Sequence, residues 1–297
     1  MQKEVSYKTN LKNLNKEFIS KVPSKIKKTH LKAQLKKNGE NIFLIYFDHT
    51  SKEQVFEKFH HDVDTVILSQ ENKTDQVYLM INTPGGSVTA YADAAQQIVR
   101  LKKAGFKVTC FIDEVAASGG YMMAAVCDTI IAQPFAFVGS IGVVAQMPIV
   151  EDFLSKNGIQ FKVFTAGTKK RTVVPTKKPT AEEEAHFNTK LEDIHKAFKN
   201  HVLKYRSKID SEKLMDGDYY MAQDVVDALM VDSLGDSRSA IIEAFNNGYN
   251  LIEVKTTTKK KSGGLAGLFG LESILESVLS KQIHKLMQST SPSELFK

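Results

Sequence analysis

Three apolar runs each precede a helical pattern, and this alternation limits the chain more than any other feature. The runs are Asn41 to Phe47, Val77 to Ile81 and Phe106 to Ile112. Their near-continuous apolar character predicts strands buried on both faces, as in a parallel sheet covered by helices. Helical spacing follows in Ser51 to Ser69, Tyr91 to Ala104 and Tyr121 to Val126. The expected fold class is therefore α/β with stacked βαβ units. Ligands in such folds bind outside the carboxyl ends of the strands. Two glycine turns fall there, Asn82-Thr83-Pro84-Gly85-Gly86-Ser87 and Ala116-Ala117-Ser118-Gly119-Gly120.

Further on, Thr129 to Ala132 and Phe161 to Thr165 read as strands, and Glu151 to Asn157 as a short helix. A long helix is expected from Thr180, which can cap it, to about Ser207, with Glu182 to Glu184 at its positive end. Helices over Gln223 to Met230 and Ser239 to Asn246 and a strand over Leu251 to Val254 complete the core. Residues 41–255 thus form the expected main domain. Ahead of it, residues 1–40 hold eleven lysines against three glutamates and read as a partly helical arm. Such an arm is either solvated or laid on an anionic membrane surface. Residues 256–297 begin with a lysine and glycine linker and continue as an amphipathic helix, Leu265 to Met287. That helix either docks on protein or lies in a membrane interface.

Charge excludes little, because the net +6 is concentrated in the arm, and no nucleic-acid motif accompanies it. Cys110 and Cys127 are isolated on a strand and a helix, so they read as buried thiols and not a disulfide framework. No cofactor or metal is called for. No run of about 18 apolar residues is present, so no spanning helix is expected. The start, Met1 to Val5, lacks the apolar segment of a signal peptide.

Ser118 carries the chemistry. Small residues precede it and two glycines follow, at the junction of a strand and a helix. Such a junction exposes a serine hydroxyl beside backbone N–H groups. A nucleophilic serine needs oxyanion donors and a base. The N–H groups of Gly119 and Gly86 are the candidate donors. The eight histidines fall in the arm or on helix faces and ends, outside the glycine turns, so a Ser-His-Asp triad is not evident. A lysine base must be in its neutral form to take a proton. Lys170 follows a strand, between Lys169 and Arg171. By itself it reads more readily as a solvated loop lysine.

Four motifs in order resemble the signal peptide peptidase A (SppA) family of serine proteases, nearest to its SohB branch. They are Asn82 to Ser87, Ala116 to Tyr121, Val138-Gly139-Ser140-Ile141-Gly142-Val143 and Ala166-Gly167-Thr168-Lys169-Lys170-Arg171-Thr172. The resemblance spans roughly residues 41–255. It implies a Clp/crotonase-like fold and a serine–lysine dyad, with Ser118 as nucleophile and Lys170 as general base. Ser140 would orient the lysine, and Gly86 and Gly119 would form the oxyanion hole. It also implies peptide substrates, such as signal-peptide remnants or other apolar unfolded segments, and a ring-like homo-oligomer with shared sites. An inner-membrane-associated or periplasmic location is the family's, with a cytoplasmic one as alternative. The chain departs from the family in carrying no tryptophan; Tyr219-Tyr220 and Ala228 to Asp232 stand in the corresponding region. Two other readings share the fold: a crotonase-type acyl-CoA enzyme, and a membrane-associated scaffold without catalysis.

Overall fold

The computed structural model describes residues 40–49, 55–167, 169–170 and 173–254. The expected N-terminal arm, apart from Glu40, and the C-terminal helix lie outside the described residues, as does the start of the helix expected from Ser51. Six strands form the main sheet: β1 (Asn41–Asp48), β2 (Gln76–Asn82), β3 (Lys107–Ile112), β5 (Thr129–Ala132), β8 (Ser233–Leu234) and β9 (Asn250–Glu253). Their order is β8-β5-β3-β2-β1-β9, and every pairing is parallel. A second sheet has the order β4-β6-β7, from β4 (Val115–Ala117), β6 (Phe137–Gly139) and β7 (Tyr219–Met221). In it β4 and β6 are parallel, and β7 is antiparallel to β6.

Alternation along β1 shows why its apolar run is nearly unbroken. Phe43, Ile45 and Phe47 enter one core with α1 (Val55–Leu68) and α2 (Val88–Lys103). Ile42 and Leu44 enter the other, against α8 (Ser237–Asn246). Both faces are covered, so both parities must be apolar. Between these helices lie α3 (Gly119–Ala124), α4 (Glu151–Lys156), α5 (Ala181–Tyr205), α6 (Ser211–Leu214) and α7 (Ala222–Val225). At the start of α5, Thr180 Oγ1 accepts from Glu183 N–H (3.2 Å) and Glu183 Oε2 accepts from Thr180 N–H (2.8 Å), a reciprocal cap.

Three expectations need correction. The stretch Phe161 to Thr165 pairs with nothing among the described residues and is not a strand. The helix expected over Gln223 to Met230 is only α7, because the chain turns and Leu229 takes a φ of 63°. The Ser118 turn does not follow a strand of the main sheet. It follows β4, in the second sheet.

The loop before β2 is held by a buried carboxylate. Asp75 Oδ1 accepts from Asn41 N–H (3.1 Å), and Oδ2 accepts from Glu71 and Asn72 N–H (3.0 Å each). Burial pushes the acid up, but the N–H donors of Asn72, Glu71 and Asn41 prevail and hold it below its ordinary value. A depressed carboxyl contributes stability above its unfolded value, and the contribution is lost as pH falls through the folded one. Asp75→Asn turns an amide N–H₂ toward donors and is expected to lose about 2 kcal/mol near neutral pH. Denaturant unfolding should show the deficit shrinking as pH falls below the ordinary carboxylate value of about 3.9, where the unfolded chain takes up the proton before the folded one does.

Candidate active site

Two serines leave two parallel strands side by side. In the β4–β6 register Ala117 pairs with Gly139, so Ser118 and Ser140 are the next residues along each strand. Ser118 N–H donates to Gly139 O (2.8 Å) and Ser140 N–H donates to Asp218 O (2.6 Å). Both serines are half-buried, and both have left-handed backbones, with φ 50° at Ser118 and φ 51° at Ser140. Ser118 combines that φ with ψ −118°, outside the αL well that a non-glycine residue can occupy. Such a conformation persists only where its surroundings impose it, at about 1–3 kcal/mol.

The surroundings are tightly specified. Thr83, just past β2, forms a parallel bridge to Ala116. Thr83 N–H donates to Val115 O (2.9 Å) and Ala117 N–H donates to Thr83 O (3.1 Å). Asn82 Nδ2 donates to Glu114 Oε2 (3.1 Å) across the same gap. The two glycine turns therefore meet, although they belong to different sheets. Gly85 has φ 98°, and a Cβ there would fall 2.7 Å from the Ser118 Cβ and 2.9 Å from Gly119 N. Only glycine allows that approach. At Gly119 a Cβ would fall 2.3 Å from Cγ of Tyr91, a side chain of α2 that is fully buried. Among the described residues, neither the Gly86 nor the Gly119 N–H donates to a protein partner. Both glycines lie in the two turns that meet at Ser118.

Helix α3 carries Gly119 and is buried throughout. Tyr121 Oη donates to Met230 O (2.8 Å), and His201 Nε2 donates to Met122 O (2.9 Å). Burial favours the neutral ring and pushes His201 below its ordinary value; the hydrogen bond to Met122 O opposes this, and the nearby Lys204 charge adds to it. His195 Nε2 lies 2.8 Å from Ile141 O and 3.0 Å from Met215 O, so it donates between two acceptors and fixes the backbone after Ser140. These two histidines sit on α5, as their spacing predicts. His49 does not fit that expectation. It lies just past β1, where Nδ1 meets Tyr91 Oη at 2.6 Å.

Lys170 lies on the segment that follows α4. It is exposed, in a turn closed by its own N–H donating to Gly167 O (3.1 Å). It lines an open groove of about 690 Å³ with Phe161, Val163, Phe164, Ala166 and Val174. No hydrogen bond or ion pair joins Lys170 to Ser118 or Ser140 among the described residues. The segment that bears it leaves Val144, Phe153, Phe161 and Phe164 in solvent, and α4 buries none of its residues. The structure sets Ser118 beside Ser140 and Gly119, with the Gly85-Gly86 turn against them. Among the described residues Lys170 makes no hydrogen bond or ion pair to any of these. Among the described residues, no group of acidic, histidine or cysteine side chains is arranged to hold a metal. Nor is any helix there long and apolar enough to cross a membrane.

Ser118 thus holds a disfavoured backbone conformation where two glycine turns meet, on an α/β frame with a parallel sheet. Residues 100–248 match Peptidase family S49, and residues 1–98 match Peptidase family S49 N-terminal. The chain belongs to peptidase family S49, the family its four motifs resemble. It is 40% identical over 196 residues to a probable protease SohB of Haemophilus influenzae, across 66% of this chain and 55% of that one. It is 33% identical over 227 residues to a probable protease SohB of Buchnera aphidicola subsp. Acyrthosiphon pisum, across 76% of this chain and 67% of that one. A third, from Buchnera aphidicola subsp. Schlechtendalia chinensis, is 30% identical over 240 residues, across 80% and 78%. The chain spans little more than half of the first of these relatives and about two thirds of the second.

Proposed function

We propose that the chain is a serine endopeptidase of Clp/crotonase-like fold that cleaves peptide bonds through an acyl-enzyme on Ser118. The observation that carries this is Ser118 itself, with φ 50° and ψ −118° between Ser140 and the open N–H groups of Gly86 and Gly119. In the proposed reaction the Ser118 Oγ attacks the scissile carbonyl and the Lys170 amine takes its proton. The N–H groups of Gly86 and Gly119 hold the oxyanion. Collapse returns the proton to the leaving amine. Water then attacks the ester, with Lys170 again as base and Ser140 orienting it.

Apolar, unfolded chains such as signal-peptide remnants suit this reading, because the groove beside Lys170 is lined by Phe161, Val163 and Val174. Lys170 makes no hydrogen bond to Ser118 among the described residues, and exposed apolar side chains around Lys170 are what a neighbouring copy would cover. The site is therefore read as shared, with Ser118 of one protomer and Lys170 of the next in a ring-like homo-oligomer. Contact with a membrane surface, on the periplasmic side of an inner membrane, accords with such substrates.

The test is direct. The protein should convert a denatured polypeptide into shorter peptides and leave an acyl-CoA thioester untouched. Thioester turnover with no peptide cleavage would favour a crotonase-type enzyme, and neither activity would favour a scaffold.

A further inference from the structure

Beneath the two glycine turns lies a side-chain chain that the dyad does not use. Tyr91 Oη meets Thr83 Oγ1 in a short hydrogen bond on one side and His49 Nδ1 (2.6 Å) on the other. Thr83 Oγ1 also accepts from Gly85 N–H (3.2 Å). Tyr91 and Thr83 are fully buried, and the His49 ring is packed edge-on against Phe56, with centroids 5.2 Å apart. The Tyr91 hydroxyl has one proton and two contacts, so it donates to one and accepts from the other. If His49 Nδ1 bears no proton, the order runs Gly85 N–H to Thr83, Thr83 to Tyr91, Tyr91 to His49. If it bears one, His49 donates to Tyr91 and Tyr91 to Thr83. Either order leaves all three groups bonded.

This chain spans the parts of the site. His49 belongs to the end of β1, where its N–H donates to Asn82 O (3.0 Å). Thr83 belongs to the end of β2 and is bridged to the strand that carries Ser118. The Tyr91 ring is the floor on which both donor glycines rest. A Cβ on Gly119 would lie 2.3 Å from Tyr91 Cγ, and one on Gly86 would lie 3.3 Å from Tyr91 Cε2 and 4.0 Å from His49 Cε1. A ring free to tilt would move the Gly86 and Gly119 N–H groups relative to each other. A ring pinned at its hydroxyl cannot. Donors act on an oxyanion only when they are held at its position in advance.

We propose that Tyr91, pinned through its hydroxyl by His49 and Thr83, is a positioning residue that sets the spacing of the two oxyanion donors. The proposal rests on the reading of Ser118 as the nucleophile and Gly86 and Gly119 as donors. It assigns His49 a role in the reaction without contact to the substrate.

The experiment measures peptide hydrolysis per active site, with sites counted by fluorophosphonate titration, in wild type, Tyr91→Phe, His49→Ala and His49→Asn. Tyr91→Phe keeps the ring under both glycines and removes only the pin. It should lower kcat about 10-fold and leave KM within about 2-fold, because one misplaced donor is worth one or two decades in the transition state alone. His49→Ala should behave alike. His49→Asn places a polar atom near the Nδ1 position and should recover most of the loss. Thermal melts should stay close to wild type for Tyr91→Phe. A loss that appears as fewer titratable sites with full turnover per site would mean a structural role and overturn the proposal. So would unchanged kcat in Tyr91→Phe, or no difference between His49→Ala and His49→Asn. Wild type that neither hydrolyses peptides nor takes the probe would instead sink the reading of Ser118 on which the proposal stands.

Discussion

Ser118→Ala is expected to reduce peptide hydrolysis by at least about 10⁴-fold, because no other group can form the acyl-enzyme and only binding and the oxyanion donors remain. The substitution keeps the Cβ, so the fold should persist. Ser118→Gly separates function from stability more sharply. The backbone at φ 50° and ψ −118° is unfavourable for serine and natural for glycine. Relief of strain is worth about 1–3 kcal/mol. The greater freedom of an unfolded glycine takes back about 0.5–1 kcal/mol. The net expectation is a dead enzyme that is more stable than wild type, read from denaturant midpoints. A nucleophile held in a strained turn implies that trade. A destabilised Ser118→Gly would mean that the turn is not strained.

Lys170→Ala is the second large effect expected, on the order of 10³-fold, if Lys170 is the general base proposed above. Its larger value is in mixing. Each chain of a Ser118→Ala preparation has an intact Lys170, and each Lys170→Ala chain has an intact Ser118. If one site draws its two groups from neighbouring protomers, refolding the two inactive proteins together in equal amounts rebuilds about a quarter of the sites. If both groups come from one chain, no site is rebuilt. The exposed apolar side chains of the Lys170 segment, Phe164 most of all at 90% exposure, make the first result the expected one. A mixture as inactive as its parts would remove the shared site, and full activity in Lys170→Ala alone would remove the dyad.

Much of this could be read before the structure, and the remainder was hidden for physical reasons. The strands β1, β2 and β3 announce themselves because burial on both faces demands apolar residues at nearly all their central positions. The strands β4 and β6 are three residues each, Val115–Ala117 and Phe137–Gly139, too short for any period to show. Their pairing is what sets Ser118 beside Ser140, so the alignment of the two serines is a non-local fact that no local pattern carries. The motif at residues 138–143 marked Ser140 only through its resemblance to the family. Phe161 to Thr165 has the composition of a strand but no partner strand among the described residues, and hydrogen bonding to a neighbour defines a strand as much as its side chains do. In the sequence His49 is one of the histidines expected in the arm or on helix faces and ends, and Tyr91 stands at the start of an expected helix. Their bond joins positions 42 residues apart, and neither the spacing nor the residue types foretell it.

The central claim is that one turn, Ser118-Gly119, presents an activated nucleophile. It is tested most directly by treating the protein with a fluorophosphonate and mapping the modified residue by peptide mass spectrometry. A single adduct on Ser118, absent from Ser118→Ala and slowed in Lys170→Ala, is the predicted result. An adduct on another residue, or labelling that survives in Ser118→Ala, would contradict it.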